Sequence, residues 1–135
     1  MPAERATVYV IDDDDSVRRA LARLLKSAGF TVCTFASARA FLEADCPPEN
    51  CCVVADVRMD GMSGLQLQHE LTKAGSPLRV ILITAHDTEE TRIEAIEAGA
   101  AALFFKPVDD QALLDAIQWT LARGGCRFPG AYTGR

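Results

Sequence analysis

The sequence predicts an α/β fold in which a five-stranded parallel sheet carries helices on both faces. Three observations predict it. Short apolar, β-branched runs alternate with amphipathic stretches at helical spacing, five times along the chain. The strand runs are apolar throughout rather than alternately polar, which is the pattern of strands buried on both faces. The chain has 135 residues, enough for one domain with a substantial core.

Val8 to Ile11 is the first strand and runs into acids. Val17, Ala20, Leu21, Leu24, Leu25 and Ala28 then recur on one helical face. Asp14, Asp15 or Ser16 caps that helix and Gly29 ends it. Thr31 to Phe35 is the second strand. Ser37 caps a short helix holding Ala40, Phe41 and Leu42, and Pro47-Pro48-Glu49-Asn50 breaks the chain. Cys51 to Ala55 is the third strand, and it runs into Asp56. A loop with Gly61 and Gly64 leads to a helix with Leu65, Leu67 and Leu71, closed by the turn Gly75-Ser76-Pro77. Arg79 to Thr84 reads as the fourth strand. Thr88 to Ala98 is a helix with Ile93 and Ile96 expected inward and Glu89, Glu90, Arg92, Glu94 and Glu97 outward; Gly99 ends it. Ala101 to Phe105 is the fifth strand, stopped by Pro107. Asp109 or Asp110 caps a last helix with Leu113, Leu114, Ile117 and Leu121 inward. The reading gives an N-terminal extension over 1–6, a folded unit over 7–122 and a loose Gly/Pro-containing tail over 123–135.

Fourteen basic against nineteen acidic residues leave a net charge of −5. That sign gives no electrostatic footprint for nucleic acid. No apolar run approaches the roughly 18 residues needed to span a bilayer. Met1-Pro2-Ala3-Glu4-Arg5 lacks the apolar stretch of a signal peptide, so the expected location is the cytoplasm. Five cysteines, an odd number with no C-x-x-C spacing, argue against a disulfide framework or zinc module. Cys33, Cys51 and Cys52 read as small hydrophobes in strands, and Cys126 as an exposed thiol in the tail.

In open α/β sheets ligands bind beyond the carboxyl ends of the strands. Asp12 and Asp13 follow the first strand, Asp56 the third, Thr84 the fourth and Lys106 the fifth. Three carboxylates in one crevice repel one another, which raises a pKa or recruits a cation. A hard divalent ion with oxygen ligands, most simply Mg²⁺, suits them. With a hydroxyl from Thr84 and a fixed charge from Lys106, the set suits phosphoryl transfer to an aspartate. Blander readings stand beside this one. Asp12 to Asp15 taken alone is a solvated cap cluster, and Asp14 and Asp15 remain capping residues. A calcium loop from Asp56 fails, because Arg58 and Leu67 occupy its third and twelfth places. His69 sits on the polar side of its helix, and no Ser-His-Asp set is readable with His86.

The pieces V-I-D-D-D-D, V-A-D-V-R-M-D-G-M-S-G, I-T-A-H, A-G-A and F-K-P resemble the receiver domain of two-component response regulators over about residues 7 to 121. Residues 37–42 and the M-S-G at 62–64 look most like the nitrogen-fixation regulator branch, which usually carries a C-terminal DNA-binding domain. The resemblance implies a flavodoxin-like sheet of order 2-1-3-4-5. It implies Asp56 as phosphoacceptor, and Mg²⁺ held by Asp13, Asp12, Asp56 and the backbone carbonyl of Arg58. Thr84 and Lys106 would bind the phosphoryl group, and the Lys106-Pro107 peptide would be cis. The phosphodonor would be a sensor histidine kinase, a phosphotransfer protein or a small acyl phosphate. The helix 4, strand 5, helix 5 face would dock partners or a second protomer.

Three places depart from the family pattern. Leu103 stands where an aromatic switch residue is usual, with Phe104 or Phe105 as compensating candidates. Asp60 stands where proline is frequent, adding an acid near the acceptor. Arg58 and His86, two places after Asp56 and Thr84, flank the path of attacking water and are expected to set the lifetime of the phosphoaspartate. Two other function classes compete with the switch. An aspartate-based phosphatase would want an acid at position 58, and a receiver-like module that never takes phosphate has only Leu103 in its favour. The fourteen residues after Leu121 are too few to fold alone. The chain therefore reads as a stand-alone receiver or as the receiver part of a longer regulator.

Overall fold

A computed structural model of the chain describes residues 6–47, 49–86 and 88–123. The elements run β1 (Thr7–Ile11), α1 (Asp15–Ser27), β2 (Thr31–Phe35), α2 (Ala38–Glu43), β3 (Cys51–Asp56), α3 (Gly64–Lys73), β4 (Val80–Thr84), α4 (Glu89–Ala98), β5 (Ala102–Phe105) and α5 (Asp110–Arg123). All pairings are parallel, in the order β2-β1-β3-β4-β5. The expected sheet is therefore the observed one. The expectations placed on 1–5, Pro48 and the tail from Gly124, including Cys126, lie outside the described residues.

Alternate strand residues feed two cores. Tyr9, Ile11, Val53, Ala55, Val80, Leu82, Leu103 and Phe105 face α2, α3 and α4. Val8, Val10, Cys52, Val54, Ile81, Ile83 and Phe104 face α1 and α5, chiefly Leu25, Leu113, Ala116 and Ile117. This two-sided burial explains why the strands read as unbroken apolar runs. Asp14 is the N-cap of α1, and its Oδ1 accepts the Ser16 and Val17 N–H groups. Ser37 and Ser63 cap α2 and α3, the latter in a full capping box with Gln66. Asp109 caps α5 by accepting the Ala112 N–H.

Several expectations about facing are corrected. On α4 the buried residues are Thr91 and Ala95, while Ile93 and Ile96 are 46% and 43% exposed. The helix turns its small side chains to the core, and the isoleucines lie off that line. On α1 only Leu25 is fully buried; Ala20 and Ala28 are exposed, because one sheet face covers a narrow stripe of the helix. Cys33 is exposed rather than packed, since β2 is an edge strand and α2 is only six residues long. Cys51 is half-buried and Cys52 buried, and both are free thiols. Burial pushes the Cys51 thiol up to about 11. The strands β4 and β5 begin at Val80 and Ala102, one residue later than the apolar pattern placed them.

Two residues of α3 fix its place against the sheet. Gln68 is fully buried; its Oε1 accepts the Val80 N–H at 2.6 Å, and its Nε2 donates to Leu78 O and Thr72 Oγ1. Removing such a partner leaves buried backbone groups unpaired, at about 1–3 kcal/mol each. Gly64 lets the helix start lie against the end of β3. A Cβ there would meet Asp56 O at 2.6 Å and Leu82 Cδ2 at 2.8 Å. Replacing Gly64 by alanine is expected to destabilise the fold by about 1–3 kcal/mol, the usual cost of overpacking a closed contact. Urea unfolding measures this, and an unchanged midpoint would show that the close approach is dispensable.

Candidate functional site

The ladders assemble the site. Ile11 pairs with Ala55, so the next residues, Asp12 and Asp56, emerge side by side from the sheet edge. Asp56 pairs with Ile83, and Thr84 follows; Thr84 pairs with Phe105, and Lys106 follows. Residues from four strand tips therefore share one edge, as the alternation of elements implied.

Lys106 Nζ donates to Asp56 Oδ2 at 2.8 Å. The Arg58 N–H donates to Asp56 Oδ1 at 2.9 Å, so both acceptor oxygens are fixed. Asp56 is 9% exposed. Thr84 is fully buried; its carbonyl accepts the Lys106 N–H at 2.8 Å, and its Oγ1 accepts the His86 N–H at 3.0 Å. The side chains of Arg58 and His86 are exposed at this rim. The Lys106-Pro107 peptide is cis.

The acid pair is divided. Asp12 is buried and held on three sides. Its N–H donates to Phe35 O, its Oδ1 accepts the Asp14 N–H at 2.9 Å, and its carbonyl accepts Arg18 Nη1 at 2.6 Å. Arg18 also pairs with Asp15. Asp13 is exposed, and its Oδ2 accepts the Asp60 N–H at 3.0 Å. Burial raises the Asp12 pKa; the Asp14 N–H and Lys106 oppose the shift, while Asp56 and Asp13 add to it. Burial works against the Lys106 ammonium but is outweighed by its hydrogen bond to Asp56 and by the charges of Asp56, Asp12 and Asp14, so its pKa is raised.

Three carboxylates against one ammonium leave an excess of negative charge; burial is the main cause of the raised Asp12 pKa, and the charges of Asp56 and Asp13 add to it. Oxygen donors with that imbalance fit a hard divalent cation. The donors are not drawn into a cage, however. Among the described residues no three Asp, Glu, His or Cys side chains form a group able to hold an ion by themselves. Asp13 is turned to the β3–α3 loop instead.

Leu103 is fully buried in β5 and faces α4 with Phe105; Phe104 faces the opposite core. Phe105, not Phe104, therefore shares the side on which an aromatic was expected, and the Arg92 guanidinium lies 5.0 Å above its ring. Three contributors escaped the sequence reading: Arg18 on Asp12, the Asp60 amide on Asp13, and Gly64 against Asp56. Arg18 lies six residues from Asp12, about one and a half helical turns, a weak signal. A main-chain donor such as Asp60 N–H leaves no signal in residue type.

Because the folded state holds the Asp12 proton more tightly than the unfolded chain, Asp12 favours folding at acidic pH, and that contribution is lost as pH rises through its raised pKa. Asp12→Asn is therefore expected to raise the thermal midpoint at pH 7 by a few degrees. The gap should close toward acidic pH; a lower midpoint at pH 7 would contradict this account.

The response regulator receiver domain model matches residues 8–118. The transcriptional regulatory protein FixJ of Azorhizobium caulinodans is 46% identical over 120 residues, which are 89% of this chain and 57% of that protein. The solved response regulator StyR superposes with a TM-score of 0.81 at 46% identity, over 90% of this chain and 61% of that one. The crystal structure of FixJ-N superposes with a TM-score of 0.80 at 34% identity, over 89% of this chain and 96% of that one. The chain spans little more than half the length of the curated relatives it matches. With sheet order, strand-tip residues and matched span in agreement, the chain belongs to the family of response regulator receiver domains, on its FixJ-like branch.

Proposed function

We propose that residues 7–122 form a phosphorylation-controlled switch in which Asp56 is the phosphoacceptor. The observation that carries this is the ion pair of Lys106 Nζ with Asp56 Oδ2, at a strand-tip edge shared with Asp12 and Thr84. A carboxylate oxygen of Asp56 attacks phosphorus, the P–N bond to a phosphohistidine breaks, and the imidazole leaves with that electron pair. The donor is a sensor histidine kinase or a phosphotransfer protein; a small acyl phosphate serves in the same way, its acyl oxygen leaving. Lys106 neutralises charge on the incoming group and fixes the carboxylate for in-line attack. Mg²⁺, held by Asp12, Asp13, Asp56 and the Arg58 carbonyl, supplies further neutralisation of the phosphoryl oxygens when bound.

The buried Thr84 hydroxyl carries the readout. It holds the His86 N–H, so its turning toward a phosphoryl oxygen draws the β4–α4 loop with it. That biases two arrangements of the α4–β5–α5 face, by as much as the phosphate binds one better than the other. The exposed Ile93 and Ile96 on α4 suit that face to an apolar partner, most simply a second protomer. Leu103 removes the usual aromatic rotamer from the coupling and leaves Phe105 with Arg92 as its carrier.

No external substrate turnover is expected, because Arg58 occupies the place a second catalytic acid would need. Among the described residues no helix is long and apolar enough to cross a membrane. We place the chain in the cytoplasm, with any DNA contact made outside this acidic module. Labelling with a radioactive acyl phosphate and Mg²⁺ tests the assignment. Asp56→Asn should reduce the label to background with the circular dichroism spectrum unchanged; full labelling of that variant would overturn it. Catalytic hydrolysis of an added phosphomonoester, with no label retained on Asp56, would instead favour a hydrolase. Arg58→Ala and His86→Ala are each expected to change the dephosphorylation rate severalfold, and identical decay in all three proteins would refute their part in setting the lifetime.

A further inference from the structure

We infer that the main-chain N–H of Asp60 parks Asp13 on the β3–α3 loop and so competes with the divalent cation for that carboxylate. The inference rests on the cation reading above and concerns how the ion gains its second acid. Asp12 is fixed by its own loop and by Arg18, whereas the Asp13 carboxylate is held from a loop 47 positions away, through one bond of 3.0 Å. Among the described residues no three acids lie close enough together to hold an ion, in keeping with an Asp13 carboxylate held elsewhere. The bond is charge-assisted, so it persists although Asp13 is exposed. It depends on the residue type at position 60 in a particular way. Any residue but proline supplies the N–H. The restraint therefore belongs to this chain and not to a receiver with proline at that place, and the Asp60 carboxylate has no part in it.

Parking acts as a pre-equilibrium. Only molecules in which Asp13 has left the Asp60 N–H are ready to bind, so the apparent dissociation constant is the intrinsic one divided by that fraction. Cation binding in turn frees the loop around Met59 and Gly61, next to Asp56.

Asp60→Ala removes the carboxylate but keeps the N–H, and Asp60→Pro removes both. Titration of each protein with Mg²⁺ alone, by calorimetry and amide NMR, reads the difference. Asp60→Pro is expected to bind Mg²⁺ roughly threefold to tenfold more tightly than Asp60→Ala. In the unmodified chain, hydrogen exchange at the residue-60 amide should accelerate when Mg²⁺ is added. Asp13→Ala should make that amide exchange fast without Mg²⁺. The exchange measurement on the unmodified chain holds even if Asp60→Pro perturbs folding. Equal or weaker Mg²⁺ binding by a folded Asp60→Pro, or exchange indifferent to Mg²⁺, overturns the parking role and leaves the cation site standing. Failure of all the proteins to bind Mg²⁺ overturns the cation reading and the parking role together.

Discussion

Parallel strand ladders force like charges together. Once β1, β3, β4 and β5 are in register, Asp12, Asp56, Thr84 and Lys106 have no choice but to leave the sheet at one edge. Burial of two apolar cores holds that arrangement against the repulsion of its own carboxylates. Lys106 on Asp56 relieves part of it, while burial, with a smaller contribution from Asp56 and Asp13, raises the pKa of Asp12. Much of the remaining local structure answers this imbalance. Main-chain N–H groups of Asp14, Arg58 and Asp60 are each spent on one of the three acids. Gly64 brings the start of α3 up to the Asp56 carbonyl.

The sheet and its chemically active edge were legible because they are written in residue types. Apolar runs mark strands, and a reactive residue immediately after each run marks a tip. Helix facing was less legible. In α4 both Thr91/Ala95 and Ile93/Ile96 have helical spacing, and side-chain size favoured the wrong pair. The helix turns the smaller pair inward instead. Cys33 was misplaced for a different reason: strand order, which periodicity does not encode, makes β2 an edge. At the site, the reading found Lys106 for Asp56 but missed Arg18 on the Asp12 carbonyl and every main-chain donor, since an N–H is common to all residues but proline.

Helix α4 shows how such a fold keeps one element easy to move. Its buried anchors are a threonine and an alanine, and a guanidinium over the Phe105 ring adds to them. On α5 the buried residues include the larger Leu113 and Ile117 beside Ala116. Burial scales with area, so shifting α4 costs less than shifting α5. A switch needs such a weakly held element beside a rigid one, because a phosphate can move a population only by its differential stabilisation.

The Thr84 hydroxyl lies between the acidic edge and that weakly held helix. It is fully buried, so it cannot exchange partners with bulk water; in this structure it accepts the His86 N–H, at the head of the loop leading into α4. A buried hydroxyl that turns toward a new acceptor keeps the amide only if the amide follows. Its movement is therefore coupled to the loop by the cost of an unpaired N–H. Leu103, sealed in the core, takes no part in that exchange. Under the proposed switch, the step from edge to helix would run through one hydrogen bond and the packing of Phe105, with no aromatic side chain to change its rotamer at position 103.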